Sequence, residues 1–441
     1  MTTASAPFRR DSVLVPLFLL LGLLAALPAR AGLDIQHWVA ATGARVYFIE
    51  TRVLPIIDVQ IDFPAGGKYA PAGKAGVAGL TQGLLDAGAA GLNEEQLAER
   101  LVDTGARLGG GADSDRANLT LRTLSAPAQR EAALDLMRTV LLSPTFPADV
   151  IEREKQRTIA GLRDADTRPA SIAARRFAAA LYPGHPYGVM PTAESVAAIS
   201  REDLVTFHRT RYVAGDAVVS IIGDLSRDEA DAIVRRLTEG LPRSAPAAAL
   251  PAITRPPKAT VTVDHPATQS HIQIGLPAIA RDHPDYFPLI VGNYILGGGG
   301  FVSRLMKEVR EKRGFAYSVH SAFSPRQQEG PFEIGLQTRR DQAREAIRTA
   351  ESVLGDFLRD GPTPAEVAAA KKYYVDSLAL RLDSNAKLLG YLSTIGFYRL
   401  PLTYIEDFPA RIRAVTAAQI RDAFARHVRP EHLVTVIVAG E

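Results

Sequence analysis

The sequence predicts an α+β chain of two homologous domains, each a mostly antiparallel sheet packed with helices. Three observations predict it. A series of about eight elements occurs twice in the same order. Each copy closes on a capped helix followed by an apolar strand, and a proline-rich stretch separates the copies. Strands interrupted by long helix pairs suit helices layered on a sheet.

Each element has a local reason. In the first copy, alternating or apolar runs predict strands at Arg45–Glu50 and Ile56–Phe63. The second copy repeats them at Thr260–Val263 and Ser270–Leu276. Helical patterns follow at Ala75–Asp86 and Asn93–Thr104, and again at Asp285–Leu296 and Val302–Lys312. Strands come next at Ala117–Leu124 and Phe332–Gln337. Long helical patterns then cover Ala128–Leu142 with Ala148–Leu162, and Gln342–Leu358 with Pro364–Leu382. Finally Ser200–Asp224 parallels Thr416–Glu441, with Ser200 and Thr416 as N-caps. These caps lie 216 residues apart (416 − 200). Solenoid repeats recur every roughly 20–50 residues, so this period means duplicated domains. The expected boundaries are a first domain over 32–241, an extended linker over 242–258 and a second domain over 259–441.

Residues 1–31 read differently. Arg9 and Arg10 precede an apolar run from Val13 to Leu27, followed by Ala29-Arg30-Ala31. That layout predicts a secretory signal peptide. The run is shorter than the ~20 residues of a spanning helix, so a soluble periplasmic protein is expected from about Gly32. Hydrophobic residues make up 46% and charged residues 22%, as in ordinary globular proteins. Net charge is +3 and basic residues are scattered, so neither nucleic acid nor a membrane is an expected partner of the mature chain. The absence of cysteine excludes thiolate chemistry and sulfur-ligated zinc.

Several stretches carry a resemblance. They are ATGARVYFIETRVLPIIDVQIDFPAG, GKAGVAGLTQGLL, the run from Gly184 to Leu225, and ILGGGGFVSRLMKEVREKRGFAYSV, the most specific. Over nearly the whole mature length the chain resembles the pitrilysin/insulinase (inverzincin) peptidases. That resemblance implies their fold and a His-x-x-Glu-His helix. There, His at i and i+4 bind zinc from one helix face and the Glu polarises water. The matching residues here are Gly79, Leu80, Thr81, Gln82 and Gly83. The third ligand falls at Gly161, and Glu154 matches a supporting acid. Gly offers no ligand and Gln cannot serve as a base at neutral pH. No metal is therefore expected in this chain, and zinc is expected in a partner. The nine histidines include no pair at helical spacing. Asp113-Ser114-Asp115 reads as a polar loop.

The resemblance also implies a substrate-contacting pair, Arg310 and Tyr317. Arg310 falls near a helix end, Gly314 is a natural C′ residue, and Phe315–Val319 reads as a strand. In such a pair the Tyr hydroxyl can donate to a peptide carbonyl and the Arg can position it. Gly297, Gly298, Gly299 and Gly300 permit close backbone approach to a substrate strand; a plain interhelical turn explains them equally well. The implied function is a non-catalytic, substrate-binding subunit of an exported heterodimeric zinc metalloendopeptidase acting on peptides or unfolded segments. Its partner would be a homologous zinc-bearing subunit. The alternative is a peptide-binding or structural scaffold subunit without proteolysis.

Overall fold

The first sheet is built from six strands that pair in the order β1-β2-β8-β3-β7-β6. They are β1 (Gln36–Val39), β2 (Arg45–Glu50), β3 (Ile56–Phe63), β6 (Arg107–Ala112), β7 (Ala117–Leu124) and β8 (Val218–Gly223). Two-residue strands β4 (Gly88–Ala89) and β5 (Leu92–Asn93) form a separate ribbon. The second sheet holds β9 (Ala259–Val263), β10 (Gln269–Ile279), β11 (Ala316–Phe323), β12 (Gly330–Arg339) and β13 (Val434–Val438), ordered β11-β12-β10-β13-β9. Read from the other end, it repeats the first sheet without β1. In each, the last strand of the half inserts into the sheet and runs parallel to one neighbour, at β2–β8 and β9–β13. All other pairs in the two sheets are antiparallel. The α+β prediction of two homologous, mostly antiparallel units holds.

This computed structural model describes residues 1–3, 33–244 and 250–439. The expected signal peptide lies outside the described residues except for its first three, as does the centre of the expected linker. From Ile35 onward the chain forms one compact unit.

The predicted caps close their helices. Ser200 accepts from the Asp203 N–H at 3.2 Å and donates its own N–H to that side chain at 2.7 Å, a capping box. Thr416 and Gln419 form the second box. The helix expected at Pro364–Leu382 breaks after Asp376 into a short second piece, Leu378–Arg381. The pieces expected at Asp285–Leu296 and Val302–Lys312 are irregular, with π-helical turns at Tyr294–Gly298 and Met306–Glu311.

Strand β3 shows how the halves interlock. Ile57, Val59, Ile61 and Phe63 point into the core on one face. Asp58, Gln60 and Asp62 alternate with them, yet they are buried too. The helix Asn385–Phe397, from the second half, covers this polar face. Its Ser393 hydroxyl donates to Asp62 at 2.7 Å and accepts from Gln60 at 2.8 Å. Gly396 lets the helix approach, since a Cβ there would lie 2.5 Å from Val218. The exchange is reciprocal. Helix Pro169–Leu181, from the first half, packs on β10 and β13 of the second sheet. Its Phe177 ring sits 2.9 Å from where a Cβ on Gly275 would stand.

Candidate functional site

Helix Val77–Gly83 carries the residues that match the metal motif. It spans seven residues, shorter than the predicted Ala75–Asp86. Gly76 enters it in the left-handed region at φ +106°, and Leu84 already leaves helical geometry. Two glycines among seven residues also weaken the helix. Gly79 and Gly83 share one face, four residues apart. A Cβ on either would meet nothing within 4 Å, and the same holds at Gly161 on helix Ala148–Ala165. The backbone thus leaves room for side chains it does not carry. Gln82 donates to the Asn118 carbonyl at 3.3 Å and packs over Gly110 of β6. These residues do not fit zinc: three positions have no donor, and the fourth is an amide bonded to the sheet.

The space beside these glycines is a cavity of about 490 Å³. Its floor is Gly76, Ala78, Gly79, Leu80 and Gly83, and its lip is Val189, Met190 and Pro191. Glu154 and Arg157 stand on one wall, Asp113 and Ser114 on another. Glu154, the residue matched to a supporting acid, is ion-paired to Arg153 at 3.2 Å and to Arg157. One lining side chain comes from the second half, Arg326. Its guanidinium lies 4.7 Å from the Tyr187 ring centroid and 5.7 Å from that of Tyr182. It forms no ion pair among the described residues, and its Nη1 is buried without a partner.

Behind the cavity lies a buried polar hub. Asp115 lies in the polar loop that the sequence suggested, between β6 and β7, yet it is 1% exposed. Its carboxylate accepts from Lys68 Nζ at 2.8 Å, Tyr187 OH at 2.5 Å, Tyr398 OH at 3.0 Å and the Gln327 N–H at 2.9 Å. Lys68 and Tyr187 belong to the first half, Gln327 and Tyr398 to the second. Burial pushes the Asp115 carboxyl up, but Lys68 and the hydrogen-bond donors outweigh it and hold the group below its ordinary value. Burial also lowers Lys68 and raises Tyr187.

The expected substrate pair does meet, but elsewhere. Arg310 lies 4.8 Å from the Tyr317 ring centroid and 4.7 Å from that of Phe301. Gly314, at φ +64°, closes the preceding turn: its N–H donates to Arg310 O and the Phe315 N–H to Val309 O. Tyr317 falls in an irregularity of edge strand β11, where pairing skips from Ala316 to Val319. Such a bulge re-aims a side chain, and Tyr317 is 83% exposed. Phe301 and Val302 are exposed beside it. Neither Arg310 nor Tyr317 lines the cavity.

The glycine run has mostly packing reasons. A Cβ on Gly297 would lie 2.5 Å from Ser321 N, one on Gly298 2.7 Å from Asn293 Nδ2, and one on Gly299 2.6 Å from Tyr294 O. Only Gly300 faces open space. Contact with a substrate strand is not needed to explain the first three.

A histidine cluster was not legible in the sequence. His283, Asp285 and His427 converge with ligand atoms within 4.8 Å of one another. Asp285, His427 and one nitrogen of His283 are already engaged. Arg426 grips both oxygens of Asp285 at 3.0 Å, and His427 Nε2 sits 2.9 Å from Oδ2. His427 Nδ1 lies 3.1 Å from Ala278 O, and His283 Nδ1 accepts the Asp285 N–H. The cluster ties the last helix to the start of helix Tyr286–Asn293. Arg426 opposes a cation there.

Fold and site together define a duplicated peptidase-type chain whose metal positions lack donors. The family model described as "Insulinase (Peptidase family M16)" matches residues 45–190. That described as "Peptidase M16 inactive domain" matches residues 198–374. An uncharacterized zinc protease of Mycobacterium tuberculosis is 32% identical over 308 residues, covering 67% of this chain and 68% of that protein. The non-peptidase homolog YmxG of Helicobacter pylori is 25% identical over 429 residues, covering 96% and 98%. A crystal structure of a peptidase M16 inactive domain from Pseudomonas fluorescens superposes with a TM-score of 0.89 at 37% identity, covering 93% and 98%. The chain belongs to the insulinase family, peptidase family M16.

Proposed function

We propose that this chain is the substrate-binding, non-catalytic subunit of an exported heterodimeric metalloendopeptidase. Its partner is a homologous subunit with an intact His-x-x-Glu-His helix, and its compartment is the periplasm. The observation that carries the reading is an asymmetry. Ligands are missing at Gly79, Gly83 and Gly161 and a base at Gln82, while Arg310 and Tyr317 stand together on an exposed edge. In this role Tyr317 donates from its hydroxyl to a peptide carbonyl bound across the subunit interface, and Arg310 holds the ring and the carbonyl in register. Phe301 and Val302 supply apolar contact with the partner. Substrates are peptides or unfolded segments, which can add to an exposed sheet edge through main-chain hydrogen bonds.

The test is reconstitution. The purified chain alone is expected to hold no stoichiometric zinc and to leave unfolded peptides intact. Co-expressed with a zinc-motif homologue, it is expected to restore cleavage. Tyr317→Phe should then lower turnover by about 10²-fold, the usual effect of removing one oxyanion donor, with assembly unchanged. Tight zinc binding by the chain alone would overturn the division of labour. Full turnover by Tyr317→Phe would remove that residue from the mechanism. Peptide binding or assembly that never leads to cleavage would favour the scaffold role.

A further inference from the structure

We infer that the cavity beside Gly79 and Gly83 is a binding site for the carboxyl terminus of a peptide ending in an apolar residue. This goes beyond the composite-site reading, because it needs neither a partner nor zinc.

Three features of the cavity select this ligand. The first is its charge. Arg326 stacks on Tyr187 and Tyr182, forms no ion pair among the described residues, and has one nitrogen buried without an acceptor. The neighbouring carboxylates are already engaged: Asp115 by Lys68, Asp113 by Arg116, and Glu154 by Arg153 and Arg157. A guanidinium in such a place matches a carboxylate's two oxygens with its own fork. The buried nitrogen is not itself the contact; it marks a cation with no ion-pair partner among the described residues. The second feature is shape. About 490 Å³ lies within the range of small-ligand pockets, and the missing side chains at Gly79 and Gly83 make that volume. Ala78, Leu80, Met190 and Val196 line it with apolar surface, suited to one aliphatic or aromatic side chain.

The third feature selects a peptide over a simple acid. Strand β6 is a sheet edge, paired only with β7, and it ends at Ala112, which lines the cavity. Gly109 and Gly110 of this edge are exposed. An extended chain can pair with β6 and deliver its last residue past Ser114 toward Arg326.

The purified chain can be titrated with a fluorescent, unstructured peptide ending in Leu, as free acid and as C-terminal amide. The free acid is expected to bind and the amide about ten-fold more weakly or worse, since a charged hydrogen bond is lost. Arg326→Gln should bring the acid down to the amide's affinity. Gly79→Leu, which enters open space on the helix, should abolish binding of both. Thermal melts check that each variant folds, and Arg326→Lys should give an intermediate acid affinity. Equal affinity for acid and amide, no binding of the acid at millimolar concentration, or unaltered binding by Gly79→Leu would each overturn the inference. Binding of octanoate with no binding of the peptide would also overturn it. A chain that restores cleavage with a partner yet binds neither peptide loses only this inference.

Discussion

Asp115→Asn removes one charge and almost no volume, and it strikes the hub that joins the two halves. In the wild type the carboxylate accepts from Lys68, Tyr187, Tyr398 and the Gln327 N–H. Asparagine keeps one carbonyl oxygen and presents an NH2 to donors. Lys68, whose side chain is 0% exposed, then has no counter-charge. Breaking a buried pair from one side costs about 3–5 kcal/mol, mostly the penalty of the stranded charge. Urea unfolding of Asp115→Asn should show a lower midpoint with an unchanged slope. The double variant Lys68→Met/Asp115→Leu should recover only part of the loss, because it removes the stranded charge but leaves the Tyr187, Tyr398 and Gln327 donors without their acceptor. The pH dependence follows from the depressed Asp115 carboxyl. Its contribution is complete above the ordinary Asp value of about 3.9 and is lost as pH falls through the lower folded value. Asp115→Asn should therefore be deficient at pH 7 and converge on the wild type in strong acid. A loss under about 1 kcal/mol at pH 7 would refute the view that this charge pair anchors the halves.

Two further outcomes follow from the empty glycine positions. Gly79→Ala and Gly161→Ala place a methyl in open space on helices, so each should stabilise the chain by about 0.5–1 kcal/mol in the same unfolding assay. Destabilisation would show that the backbone there needs glycine. The combined substitution Gly79→His, Gln82→Glu, Gly83→His and Gly161→Glu should bind one zinc per chain by elemental analysis, because the positions that would carry the ligands are open. A folded variant with no zinc would show that the helix pair has moved away from metal geometry.

The sequence disclosed what depends on neighbours along the chain. Most strands of both sheets followed from alternation or apolar runs, though β1 and the glycine-rich β6 did not, and the caps at Ser200 and Thr416 followed from residue type. Gly314 was legible because a left-handed turn after a helix selects glycine. The duplicated order was legible because both copies keep it. What depends on distant partners was not. Asp58, Gln60 and Asp62 alternate with apolar residues, which makes one face of β3 look solvent-directed. Only the second-half helix carrying Ser393 reveals it as buried. Asp115 looked like loop polarity because its partners Gln327 and Tyr398 lie more than two hundred residues away. His283 and His427 read as isolated for the same reason. Arg326 had no sequence signal, since its significance is the lack of an ion-pair partner among the described residues. The glycine run at Gly297–Gly300 suggested a substrate loop, yet close contacts with Asn293, Tyr294 and Ser321 explain three of its four members.

The internal repeat places the two candidate sites in relation to each other. Strand β6 in the first sheet corresponds to β11 in the second, and each is the edge of its sheet. The cavity opens at the end of β6, and the Arg310–Tyr317 pair stands at the start of β11. In a pairing of homologous chains about an approximate two-fold axis, contacts are reciprocal: if this chain's β11 edge faces the partner's metal helix, the partner's β11 edge faces this chain's cavity. Such an assembly has two composite sites. One joins the partner's ligands to Arg310 and Tyr317 and can cleave. The other joins the partner's second half to a cavity without metal donors and can only bind. On this arrangement Gly79 and Gly83 are more than losses. They convert the second site from a cutter into a holder. Gly79→Leu in the reconstituted pair separates these roles. Filling the cavity should weaken capture of peptides while leaving the partner's metal, Arg310 and Tyr317 in place. The effect should therefore fall on KM and spare kcat. A drop in kcat with KM unchanged would mean that the cavity serves the chemistry and not the holding.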